Sequence, residues 1–121
     1  MTLIVEVRKQ EQTKYEISTW LRMLDYQQQE NIHMKTRIAE VIKRNVTKEV
    51  LDRLENFQNL FLNKDSVITF LRNDIQKINN EHAWDNIYID HISSLRKDMQ
   101  KMELEFNLLH RTFNEYMQTL S

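Results

Sequence analysis

The chain has 121 residues with no glycine, no proline and no cysteine, and its 17 basic and 18 acidic side chains give a formal net charge of −1. Without glycine a phosphate-binding loop is excluded, and without cysteine so are a thiol nucleophile, a disulfide and a thiolate metal site. The balanced charge and the lack of an apolar run of roughly 20 residues predict neither a nucleic-acid nor a membrane partner. The absence of cysteine favours a cytoplasmic location.

The missing turn residues also predict the fold class. Tight turns and left-handed helix ends normally use glycine or proline, so a chain without them has few turns and long elements. Its many Gln, Glu, Lys, Leu and Met residues favour helix over strand. We therefore expect an all-α protein with helices at about 13–44, 47–79 and 84–120, whose short connections make sequence neighbours antiparallel.

The first predicted helix carries an apolar stripe with a polar interruption. Its heptad positions are Ile17, Trp20, Leu24, Gln27, Asn31, Met34, Ile38 and Val41. Extending the same spacing backwards reaches only polar residues, so the core is expected to begin near Thr13. Residues 1–12 are then a short, partly apolar extension, and residues 13–121 form a single helical-bundle domain.

The second predicted helix has one polar residue, Lys64, in its stripe. The other positions are apolar: Val50, Leu54, Phe57, Phe61, Ile68, Leu71, Ile75 and Ile78. Asp65 or Ser66 is suited to cap a new helix, so a break near Lys64 would give four helices in total. The spacing of four and three residues continues through this site without a shift, which favours one continuous helix beginning after a Thr47 cap.

The third predicted helix has the most regular stripe. Ten apolar residues follow at alternating steps of four and three: Tyr88, Ile92, Leu95, Met99, Met102, Phe106, Leu109, Phe113, Tyr116 and Leu120. Such a seam predicts coiled-coil (heptad) packing in an antiparallel three-helix bundle. His91 and His110 fall at the g and e positions, which flank the seam.

The two interrupted stripes are expected to meet inside the bundle. If the chain turns back near residues 45–46, Gln27 faces Lys64 and Asn31 faces residues 60–61. We therefore predict a shared polar layer made of Gln27, Gln28, Asn31, Lys64 and Asp65. A buried polar layer specifies helix register at some cost in stability. The alternatives are a small ligand held in the layer, or a bundle that opens to water here.

Glu30 and His33 form a Glu-x-x-His pair, which is half of the motif that di-iron helical bundles use twice. The chain has no second copy, and the pair lies on the outward side of the predicted helix, so we expect no metal site. An exposed histidine on a bundle also raises the alternative that His33 is a phosphoacceptor, by analogy with histidine phosphotransfer domains. Their histidine is typically followed by lysine and a small residue, whereas Lys35 lies two residues after His33 and no glycine is present.

Several apolar residues lie off the predicted seams and exceed what one three-helix core would bury. They are Leu60, Leu62, Phe70, Leu104 and Leu108. A second apolar face favours association with another helix or another copy of the chain. The sequence therefore predicts a non-enzymatic structural or protein–protein interaction module that forms a homo-oligomer and has no cofactor. The alternatives are a phosphotransfer-like bundle acting through His33 and a ligand-binding bundle acting through the polar layer.

Overall fold

A computed structural model describes residues 2–80 and 88–120, and its regular structure is helical. Helix α1 spans Thr2–Ile42, α2 spans Lys48–Asn80 and α3 spans Ile89–Thr119. The described residues contain no strand, which confirms the predicted all-α class. The predicted start of the third helix near residue 84 lies outside the described residues.

Helix α1 begins much earlier than the predicted start at residue 13. Its 41 residues include the segment 2–12, which is helical and continuous with the rest of α1. Good helix formers such as Gln10 and Glu11, with no glycine or proline, let a helix continue where no core is available. The first buried side chain in the described part of α1 is Ile17, so the helix reaches well beyond the part of its stripe that packs.

Helix α2 runs without a break through Lys64 for 33 residues, so the four-helix alternative is wrong. At its start, the hydroxyl of Thr47 accepts a hydrogen bond of 3.3 Å from the backbone N–H of Val50, which satisfies one of the free donors of the first turn. Glu49 places a negative charge near the positive end of the helix dipole. The predicted Thr47 cap is therefore confirmed.

Helices α1 and α2 are antiparallel, because an early residue of one pairs with a late residue of the other. Arg72 donates a hydrogen bond of 2.8 Å to Asp25, and Lys35 donates one of 2.5 Å to Asp65. Helix α1 therefore runs towards the start of α2, as the five-residue connection between them requires.

Helix α3 is parallel to α1 and antiparallel to α2. Arg96 near its start bonds Glu16 of α1 at 2.7 Å, and Asn114 near its end accepts a hydrogen bond of 2.7 Å from Arg37. The three helices form an up-down-up bundle, as predicted. The finer prediction of coiled-coil, knobs-into-holes packing remains a prediction.

The buried side chains lie at the seam positions and form two hydrophobic clusters. The larger one is mainly aliphatic: Ile17, Trp20, Leu24, Ile68, Leu71, Ile75, Ile78, Ile92, Leu95, Met99 and Met102. The second, nearer the α1–α2 connection, contains Met34, Ile38, Leu54, Phe57, Phe61 and Phe113. Along α1 the two clusters are separated by Gln27 and Asn31, the positions where the apolar stripe fails.

Candidate functional site

Three polar side chains are buried in the described part of the bundle, and they lie between the two hydrophobic clusters. Gln27 is 2% exposed, Asn31 is 0% exposed and His110 is 9% exposed. A buried amide or imidazole loses its hydrogen bonds to water and needs partners inside the protein. The arrangement of those partners decides what this layer does.

Asn31 lies at the centre of a hydrogen-bond network that links all three helices. Its Nδ2 donates to Oδ1 of Asp65 on α2 at 3.1 Å, and its Oδ1 lies 3.0 Å from Nε2 of His110 on α3. The other carboxylate oxygen of Asp65 accepts a hydrogen bond from Lys35. Because an ionised carboxylate only accepts, the Asn31 amide must direct its nitrogen to Asp65, and His110 must then carry its proton on Nε2.

His110 is held between aromatic rings in the interior. Its ring centroid lies 3.9 Å from that of Phe106 and 5.5 Å from that of Phe61, which approaches edge to face. Burial lowers the pKa of His110 below its ordinary value, and the negative charge of Glu30 opposes part of this shift. The neutral imidazole therefore suits the site, since an additional proton would place a charge among aromatic rings.

His110, which the predicted register places at a flanking e position, is buried. Phe106, His110 and Phe113 are spaced by four and three residues, so their side chains lie on one face of α3. The predicted row, with Leu109 in place of His110, has steps of three and four and lies on one face equally well. An α-helix of 3.6 residues per turn also drifts by about 20° per heptad relative to a strict seven-residue repeat. His110 consequently turns inward, while Leu109 is only half-buried. The spacing of His110 is compatible with burial, but a search for apolar residues does not include a histidine.

Lys64 and Asp65 are neighbours in sequence but serve different helices. The ammonium of Lys64 donates a hydrogen bond to the Glu105 carboxylate of α3 and thereby lowers the pKa of Glu105 below its ordinary value. Asp65 lies on the other side of α2 and bonds Asn31 and Lys35 of α1. Successive residues on a helix differ by about 100° in direction, so the two side chains cannot both face the same neighbour.

The predicted layer is thus brought together only in part. Asn31 and Asp65 bond each other, whereas Gln28 accepts a hydrogen bond of 2.7 Å from Arg72. Lys64 bonds Glu105, and the buried Oε1 of Gln27 has no hydrogen-bond partner among the described residues. The predicted pairing of Asn31 with residues 60–61 is also wrong, since Asp65 lies about one helical turn further along α2.

Both residues of the Glu-x-x-His pair lie in the described part of α1. His33 is exposed and Glu30 is half-buried on α1. Within residues 2–80 and 88–120, no group of three or more His, Asp or Glu side chains is placed to hold a metal ion. At the centre of the polar layer, Asn31 already has hydrogen-bond partners for both its side-chain oxygen and its side-chain nitrogen.

A second feature is an apolar groove of about 310 Å³ on the surface between α2 and α3. Phe57 and Leu109 contribute to its lining, together with Leu60 and Leu108, which are 46% and 54% exposed. Leu104 lies one turn before Leu108 on α3 and is 71% exposed. Leu60, Leu104 and Leu108 are three of the five off-seam residues for which the sequence predicted a second apolar face.

The fold and these two features define an all-α helical bundle with an internal hydrogen-bond network and an exposed apolar groove. Comparison with protein-family models, curated proteins and solved structures found no match to this chain. In the part of the chain that is described, none of the helices has the length and apolar character needed to cross a membrane. The functional conclusion therefore depends on the geometry alone.

Proposed function

We propose that this chain is a non-enzymatic protein–protein interaction module whose helical bundle associates with a second copy of itself. The observation that carries the proposal is the exposure of Leu60, Leu104 and Leu108 around one groove between α2 and α3. Contiguous exposed apolar surface on a soluble bundle is typical of a binding face. Coiled-coil packing within the bundle and a cytoplasmic location belong to the same proposal, the first supported by the heptad spacing and the second by the lack of cysteine.

The polar layer has a supporting role in this proposal, which is to specify helix register. Asn31 contacts Asp65 and His110 on different helices, so sliding any one helix by a turn would break at least one of these hydrogen bonds. A buried polar group without a partner lowers the stability of the fold by about 1–3 kcal/mol, so the slipped arrangement is disfavoured. The layer would then hold α2 and α3 in the alignment that creates the groove.

The two alternative functions receive less support. A ligand in the polar layer would have to displace hydrogen bonds that Asn31 already makes. His33 is exposed, as a phosphoacceptor must be, but exposure is equally typical of any residue on the outer face of a helix. Incubation with phosphoramidate or acetyl phosphate followed by intact-mass analysis tests the second alternative, and stable addition of phosphate at His33 would favour it over our proposal.

Sedimentation velocity on the purified chain tests the proposal. Between about 1 and 100 µM, the range in which an interface of modest area associates, the sedimenting mass should rise above the 14.8 kDa of one chain. Adding salt should change this little, because an apolar groove rather than paired charges drives the association. A single species of one-chain mass over the whole range would contradict self-association.

A further inference from the structure

The outward face of α2 differs from the rest of the surface in having no charge. Every exposed residue between positions 56 and 73 is uncharged, in a chain in which 29% of residues are charged. The charged residues of this segment, Lys64, Asp65 and Arg72, are only partly exposed and form ion pairs with α1 or α3. The centre of a protein interface is typically depleted of charge, so this face has the composition of one.

The same face carries a second heptad stripe, on a different side of α2 from its buried seam. Exposed residues follow at steps of four, three, four and three: Asn56, Leu60, Asn63, Val67 and Phe70. Phe70 is 69% exposed and Val67 is 42% exposed. A stripe with this spacing is what a helix presents to a partner helix. Leu60 also lines the groove with Leu108, so the stripe and the groove form one continuous surface.

We propose that this face, centred on Asn63, docks against the same face of a second copy, with the two α2 helices antiparallel about a two-fold axis close to Asn63. This inference rests on the proposed self-association and names its surface. In this antiparallel arrangement the positive end of each helix dipole lies beside the negative end of the other, which is favourable.

Two properties of the face favour a second copy over a different partner. The α2 part of the face is uncharged, and the two charged side chains that line the adjoining groove, Arg53 and Glu105, have opposite signs. The face therefore has no net charge that would repel its own duplicate. In a two-fold arrangement the residue at the centre meets itself, and Asn63 has an amide that both donates and accepts hydrogen bonds. The two ends of the stripe are complementary as well, because Phe70 of one copy would lie against the segment 56–60 of the other.

The area of the face agrees with a weak dimer. The 18 residues of positions 56–73 extend about 27 Å along α2. Including the neighbouring face of α3 with Leu104 and Leu108, at a helix spacing of about 10 Å, the face covers on the order of 500 Å² per copy. About 1,000 Å² in total is at the lower limit for a specific interface, which predicts a dissociation constant in the micromolar range.

Opposite charges placed at Asn63 test the inference. Asn63→Asp and Asn63→Lys each put two like charges close together across the axis, and each should raise the dimer dissociation constant at least about tenfold in sedimentation velocity. An equal mixture of the two variants should recover the association, because opposite charges then meet. Gln29→Asp, an exposed position on α1, is the matched control and should associate like the unaltered chain. Circular dichroism melting of every variant shows that the bundle remains folded.

Each outcome decides between the two proposals. If the unaltered chain associates and both Asn63 variants associate equally well, the α2 face is the wrong surface and the general proposal of self-association stands. If each variant dissociates but the mixture does not recover, Asn63 is not near a two-fold axis and the antiparallel arrangement is wrong. If the unaltered chain remains a monomer at about 100 µM, a concentration at which a dimer with a dissociation constant of a few micromolar would be largely formed, both proposals fail.

Discussion

In the mid-bundle layer Asn31 and His110 place polar groups in the interior, whereas on the outward face of α2 Leu60 and Phe70 place apolar groups at the surface. Both regions depart from the rule that apolar side chains are buried and polar ones exposed. They differ in how the departure is compensated. Asn31 and His110 bond each other within the chain, while the apolar residues of the α2 face remain uncovered in the bundle.

This difference is why our proposal places the partner at the α2 face and not at the polar layer. A buried polar group that has its hydrogen bonds is already compensated, so the pair of Asn31 and His110 needs nothing beyond one chain. An exposed apolar stripe is compensated only when something covers it, because water contact with apolar surface is unfavourable. The layer therefore has a structural role in our proposal, and the α2 face has the functional one.

The largest effect should come from replacing a phenylalanine by alanine, once inside the bundle and once on its surface. Phe61 is fully buried and meets Phe113 edge to face with 5.2 Å between ring centroids, so Phe61→Ala should lower the free energy of unfolding by about 3–5 kcal/mol. Phe70→Ala should change it by less than about 0.5 kcal/mol in dilute solution. Guanidinium unfolding at low protein concentration measures both. Similar losses for the two variants would mean that Phe70 is covered within the monomer.

A smaller effect should separate the two buried amides of the layer. Asn31→Leu leaves Nε2 of His110 without its acceptor and removes a donor from Asp65, and it should lower the free energy of unfolding by about 1–3 kcal/mol. Gln27→Leu removes an oxygen that has no hydrogen-bond partner in the described bundle, so it should leave stability unchanged or raise it. Thermal and urea unfolding of both variants checks this prediction. An Asn31→Leu variant as stable as the unaltered chain would mean that the hydrogen-bond network does not stabilise the bundle.

The pH dependence of stability should report His110. Burial lowers its pKa in the folded state, so the unfolded chain binds more protons as pH falls below the ordinary histidine pKa of about 6.5. The folded state should then lose stability between about pH 7 and pH 5, and the part due to His110 is fully present only above that range. His110→Gln keeps an amide donor for Asn31 but does not titrate, so its urea-unfolding profile should be flatter. Identical slopes for the two chains would contradict a neutral, buried His110.

The smallest effect should come from a surface ion pair, which belongs to neither region. Arg96 donates two hydrogen bonds of 2.7 Å to the carboxylate of Glu16, and these bonds raise the pKa of Arg96 above its ordinary value. Lysine cannot form the same forked pair, so Arg96→Lys should lower the free energy of unfolding by about 0.2–1 kcal/mol. Urea unfolding with and without 1 M salt measures the loss, which should shrink in salt since exposed charges are screened. A loss as large as that of Asn31→Leu would be the unexpected result.

The helices and their buried faces were largely predictable from sequence. Leu24, Phe61 and Met99 lie in the core because apolar residues recur at helical spacing along each stripe. The early start of α1 at Thr2 was missed because the apolar stripe ends near Thr13, whereas helix formation itself needs only favourable residues and no glycine or proline.

The polar network was less predictable, because it depends on the relation between helices. The sequence indicated that Gln27 and Asn31 interrupt a core, and both are buried. The partner of Asn31 on α2 depends on the axial offset of two helices, and a change of about one turn replaces residues 60–61 by Asp65. The partner on α3, His110, lies outside the predicted apolar seam because it is polar.

By itself, the sequence determined that this protein is helical, that it has three long helices and which stripe of each helix is buried. These properties follow from local preferences and from the 3.6-residue period, which act within one segment of chain. Only the tertiary structure decided that Lys64 and Asp65 contact different helices, that His110 turns inward and that Leu60 and Leu108 share a groove. Those outcomes depend on the rotation and offset of whole helices, which are set by the packing of distant side chains.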